Sequence, residues 1–130
     1  MKVVDVNGMY TIEVNTGGTI VHESQKGFWK VEDMKRFQAD YVAKVAPLLR
    51  GKIWSKCSDL TEYQTSSIVD GIHEHITWAA SIGLSNAAIV VSSAIIKMQM
   101  NRGDGDIISP KIYDNKSEAL NWLEFEGYKG

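Results

Sequence analysis

The chain predicts a single small α/β domain, residues 1–130. Its sheet is mixed and mostly parallel, with about five strands, an antiparallel N-terminal hairpin and four helices, in the order β-β-α-β-α-β-α-β-α. Three observations predict it. Tyr10–Val14 and Thr19–Glu23 are short alternating runs joined by Asn15-Thr16-Gly17-Gly18, a hairpin signature. After them, strand-like and helix-like segments alternate, which implies parallel pairing through right-handed crossovers. Lys52–Gly83 is the clearest such unit: a strand, a hydroxyl-rich turn and a helical run.

Each element follows from its pattern. Tyr10, Ile12 and Val14 alternate with Thr11 and Glu13, the period of a half-buried strand. Met1–Val6 is a candidate edge strand. From Val31 to Leu49, the residues Val31, Met34, Phe37, Tyr41, Val45 and Leu48 recur at three and four, one face of an amphipathic helix that Pro47 and Gly51 end. Lys52–Leu60 is the next strand, made unusually polar by Lys56 and the serines. Thr61–Ser67 is the turn. Ser67–Ile82 is a helix with Ile68, Ile72, Ile76, Ala79 and Ile82 or Gly83 along one stripe.

Ala87–Val91 is short, apolar and β-branched, hence a buried strand. Ser93–Asn101 reads as a short helix and Arg102–Asp106 as a loop. Ile107–Tyr113 holds the fifth strand, shortened by Pro110. Ser117–Glu126 is the last helix, with Asn115 as its cap and Glu118 three residues on.

Composition narrows the function. With 44% apolar and 23% charged residues the chain builds an ordinary globular core. A net charge of −2 without a basic stripe argues against a nucleic-acid partner. The longest strictly apolar run, Ala87–Val91, is far below the ~20 residues of a membrane span. Met1–Tyr10 lacks the apolar segment of a signal peptide. Cys57 is the single cysteine, which fits a reducing compartment, so a cytoplasmic location is expected.

At this point the residues resemble a family. Gly51-Lys52-Ile53 leads into a strand ending Asp59-Leu60-Thr61, and the chain closes with Tyr113-Asp114-Asn115-Lys116-Ser117-Glu118-Ala119-Leu120-Asn121-Trp122-Leu123. These segments and the element order resemble the STAS domain (sulfate transporter and anti-sigma-factor antagonist), especially its short stand-alone branch related to Sec14 lipid-binding domains. The resemblance spans roughly residues 10–125. It implies a regulatory, protein-interaction function, and a phosphoacceptor at the start of the second helix, here Thr65 or Ser66. Two positions differ from the family pattern: Gln64 stands where an acid is expected and Ser67 where a glycine is.

The candidate sites carry two readings each. A phosphoryl group on Thr65 or Ser66 would be stabilised by the free N–H groups of a helix start, and either residue, or Ser67, could simply cap that helix. Asp59 could bind a ligand, with Thr61 beside it, or accept hydrogen bonds from the turn that follows. Phe28 and Trp29 could anchor a partner or pack back near Met34. Ile95, Ile96, Met98 and Met100 form an adaptable apolar stretch suited to a lipid-like ligand or to completing the core.

His73 and His75 are two apart on a helix and face different ways, so a shared metal ion is not expected. Asp104 and Asp106 lack the oxygens of a calcium loop. No nucleophile–base pairing or phosphate-cradling loop is legible, so neither a cofactor nor an enzyme is expected. The candidate binding surface therefore comprises Asp59, Thr61, Ser67, Trp29, Ile96, Met98 and Met100. The partner is a protein or an apolar small molecule, and open sheet edges are compatible with a homodimer. An enzyme stays as the third alternative.

Overall fold

The computed structural model describes residues 1–64, 68–92, 108 and 110–130. The elements are β1 (Lys2–Val4), β2 (Tyr10–Val14), β3 (Ile20–Phe28), α1 (Val31–Asp40), a π-helical turn (Tyr41–Val45), α2 (Ala46–Leu49), β4 (Trp54–Gln64), α3 (Val69–Ser81), β5 (Leu84–Val90), β6 (Lys111–Tyr113) and α4 (Lys116–Phe125). The described residues form a 6-stranded sheet in sequential order β1 to β6. β1, β2 and β3 are antiparallel, and β3 to β6 are parallel. Met1–Val6 thus contributes an edge strand, and Asn15–Gly18 closes the hairpin, with Gly17 at φ 74° and Gly18 N–H donating to Asn15 O at 2.8 Å.

Strand alternation divides the sheet into two faces. Ile12, Val14, Val21, Trp54, Leu60, Ala87 and Ile89 join Met34, Phe37, Tyr41, Leu49, Ile76 and Ala79 in the larger core. Ile20, Cys57, Ala88 and Val90 turn the other way and meet Ala119 and Leu123 of α4. Asn115 caps α4, its side-chain oxygen accepting from Glu118 N–H at 2.9 Å.

Three readings change. The first long helix is interrupted by the π-helical turn, and its buried stripe is Met34, Phe37, Tyr41, Val45 and Leu49. Val31 and Leu48 are exposed instead. A π turn closes i→i+5 bonds and is wider than an α turn, so residues four apart stay on the core face.

β4 does not stop at Leu60. It runs through Gln64 because β3 continues to Phe28 and pairs with it, Lys26 with Glu62 and Phe28 with Gln64. One extra residue of β4 forms an irregularity opposite Ser24–Lys26.

Trp29 is fully buried, so it is not a surface anchor. It packs edge-on to Phe37 and near Tyr10 and Tyr63, and its indole N–H donates to Lys26 O at 3.0 Å. Phe28 is the exposed member of that pair, as β3's alternation requires.

Polar anchors fix α1 to the hairpin. The Arg36 guanidinium makes two bonds to the Asp5 carboxylate, Nε–Oδ1 at 2.6 Å and Nη2–Oδ2 at 2.9 Å. Burial opposes ionisation of Asp5, but Arg36 and the Met9 and Asn7 backbone outweigh it and hold its pKa below the ordinary value. Tyr10 Oη donates to Asp40 at 2.5 Å, and burial with that carboxylate raises the phenol's pKa.

Candidate functional site

Asp59 and Thr61 sit in β4, on the strand rather than in a turn. Asp59 Oδ1 accepts from Thr61 N–H at 3.0 Å and from Thr61 Oγ1 at 2.7 Å, so its carboxylate braces the irregularity in its own strand. Around them lies an open depression of about 350 Å³, lined by Val4, Thr11, Ser24, Lys26, Asp59, Thr61 and Glu62 among others. Pairing explains that company: Val4 is opposite Thr11, Thr11 opposite Ser24, and Ser24 opposite Asp59, one row across one face. The Thr11 and Ser24 hydroxyls are 2.7 Å apart. Thr65, Ser66, Ser67, Ile96, Met98 and Met100, like Asp104 and Asp106, lie outside the described residues.

The densest chemistry is elsewhere, in the larger core. Glu23 on β3 and Lys56 on β4 occupy core-facing positions and meet at 2.8 Å, with side-chain exposures of 0% and 5%. The Glu23 carboxylate also accepts from Ser58 Oγ at 2.8 Å, from Gln25 Nε2 at 3.2 Å and from the Tyr41 hydroxyl. Lys56 Nζ lies 2.7 Å from His75 Nε2, and His75 Nδ1 lies 2.5 Å from Gln38 Oε1. The ammonium also sits 4.9 Å from the Tyr41 ring centroid and 5.7 Å from that of Phe37.

A buried charge is tolerable only when paired and hydrogen-bonded, and each strand supplies what the other's charge needs. Tyr41 reaches the carboxylate from the π-helical turn. Burial, and then the Lys56 charge, push the His75 pKa well below its ordinary value. A neutral ring is what the contacts demand: Lys56 donates to Nε2, so the proton sits on Nδ1 and is donated to Gln38.

Sequence reasoning missed this cluster, although one signal was present. Counting by twos from Val21 and Trp54 places Glu23 and Lys56 on the core face. His73 is exposed and His75 buried, as the helical spacing requires. Cys57 is 1% exposed against the α4 side, and its thiol is pushed up to about 11 by burial. His22, its neighbour across the β3–β4 pair, is lowered by burial and then by Lys116.

Outside the cluster, between α1 and α3, runs an open groove of about 580 Å³. Val31, Met34, Ala39 and Ile68 give it apolar walls, Lys35, Asp70 and Glu74 give it charge, and Gln38 and His75 lie at its floor. His75 and Met34 also border a small cavity of about 40 Å³ that reaches Glu23, Lys56 and Ser58. Gly71 permits the close approach of the helices, since a Cβ there would stand 2.9 Å from Met34 Cγ.

Sequential β1-to-β6 order, a leading antiparallel hairpin and helices on both faces define an α/β domain with a SpoIIAA-like fold. Among solved structures, the chain is similar to an uncharacterized protein from the DUF3478 family with a SpoIIAA-like fold, from Shewanella loihica PV-4. The TM-score is 0.60 at 15% identity, covering 86% of this chain and 90% of that one. At that identity the likeness shows the fold. No protein-family model matches the chain, and no curated protein matches it by sequence. Among the described residues, no helix is long and apolar enough to cross a membrane.

Proposed function

We propose that the chain is a non-catalytic STAS-type interaction domain that docks a protein partner through the surface around Asp59 and Thr61 and the N-terminal end of α3. The supporting observation is that the sheet row Val4–Thr11–Ser24–Asp59 borders an open depression with exposed Thr61 and Glu62 at its rim. The non-catalytic reading is supported by the buried cluster, whose Glu23, Lys56, His75 and Tyr41 groups bind one another. A photo-crosslinking residue at Thr61 should trap one defined protein in the host cell, while the same residue at Glu124 on α4 should not. Equal labelling from both positions would sink the docking surface. In the regulated form of this reading, Thr65 or Ser66 accepts phosphate, and T65E or S66E should change the crosslinking yield at Thr61.

A second reading, a domain that binds an apolar small molecule, is favoured by one observation: the groove of about 580 Å³ is within the size range of small-molecule sites and has apolar walls. Co-purified small molecules, or stabilisation by added ones, would support it; neither would count against it.

A further inference from the structure

The hydrogen-bond chain in the core sets which face Gln38 shows to the groove. Lys56 can only donate, so His75 Nε2 accepts and Nδ1 carries the proton. That proton goes to Gln38 Oε1, 2.5 Å away. The Gln38 carbonyl oxygen is thereby committed inward, and its NH₂ group is left as a donor at the groove floor that Gln38 lines. Lys35, three residues earlier on α1, adds an ammonium to the same wall.

The opposite wall is acidic. Asp70 and Glu74 are four apart on α3, both exposed and both lining the groove. Neither carboxylate has an ion-pair partner among the described residues. Asp70 lies in the first turn of α3, where the helix dipole favours it. Glu74 lies a turn further on and repels Asp70 at i,i+4 spacing. Between these walls run Val31, Met34 and Ile68. The groove is therefore polarised across its width, with donors on α1, acceptors on α3 and an apolar lining between.

We propose that the α1–α3 groove binds a small zwitterion with an apolar body, of the size and chemistry of an aliphatic dipeptide. Its carboxylate meets Lys35 and the Gln38 amide, its ammonium meets Asp70 and Glu74, and its side chains rest on Val31, Met34 and Ile68. The assignment rests on reading this groove as a small-molecule site. A singly charged ligand of the same shape would leave one wall without its counter-ion, and an uncharged one would leave both.

The test is a titration of ¹⁵N-labelled protein with leucyl-leucine and three derivatives: N-acetylated, C-amidated and blocked at both ends. Leucyl-leucine should shift the backbone amides of Ala39 and Gly71, and blocking either end should weaken it by about tenfold, the loss of one charge-assisted hydrogen bond. E74Q with D70N, at exposed positions, should weaken leucyl-leucine and its amide but leave the acetylated forms unchanged. K35Q should weaken leucyl-leucine and its acetyl derivative but leave the amidated forms unchanged. If the doubly blocked dipeptide binds in the groove as well as the zwitterion, the charge assignment is overturned while the small-molecule groove stands. If no probe shifts α1 or α3, both are overturned.

Discussion

The Lys56 ammonium stands 2.8 Å from the Glu23 carboxylate, and neither side chain is more than 5% exposed. The two residues come from adjacent parallel strands, on the face where Val21, Trp54 and Leu60 form the core. Ser58, Tyr41, Gln25 and His75 complete their hydrogen bonding, so the middle of the larger core is polar and closed on itself. Such a network adds little net stability over an apolar core, but it is expensive to break by halves.

Replacing Lys56 by Met should therefore destabilise the domain by about 3–5 kcal/mol, because Glu23 stays buried without its counter-ion. Replacing Glu23 by Leu in the same protein should recover most of that loss. Denaturant titration of the two single variants and the double variant measures it, and additive losses would refute the coupling.

The domain should lose stability on mild acidification. The His75 pKa in the fold is depressed by burial and then by Lys56, so the unfolded chain binds its proton first as pH falls. His75's contribution is complete above the unfolded value of about 6.5 and declines below it, by at most about 1.4 kcal/mol per pH unit for one proton. His22, also depressed, acts in the same direction. Denaturation midpoints between about pH 7 and pH 5 should fall in the wild type, with a shallower slope in His75→Gln; identical slopes would exclude His75 as the main source.

Gly83 should resist substitution. It has φ 110°, and a Cβ there would lie 2.2 Å from Lys52 O, while its own carbonyl accepts from Trp54 N–H at 3.0 Å. Gly83→Ala combines left-handed strain with a backbone clash, for a loss of about 3 kcal/mol or more by thermal or denaturant unfolding. A change below about 1 kcal/mol would show that the turn relaxes freely.

Cys57 should be inert in the native protein. Its thiol, pushed up to about 11, is covered in the smaller core with Ala119 and Leu123. A thiol-specific disulfide reagent at about pH 8 should label it only as fast as the protein opens, and at once in denaturant. Rapid native labelling would mean that α4 lifts from the sheet.

The sequence by itself determined the opening hairpin, the alternation of strands and helices among the described residues, the Asn115 cap and most of the first helix's apolar stripe, because each depends on contacts within a few residues. Alternation in Tyr10–Val14 and the spacing of Met34, Phe37, Tyr41 and Val45 are readable without knowing any partner. Tertiary structure decided the rest. Whether β4 ends at Leu60 or continues depended on β3 being long enough to pair with it. Which of Phe28 and Trp29 faced water depended on the ring cluster of Tyr10, Phe37 and Tyr63. Above all, Glu23, Lys56 and His75 are each unfavourable core residues alone. Their burial became affordable only when strand register and the π-helical turn brought their hydrogen-bonding groups together, a relation between distant segments that no local pattern encodes.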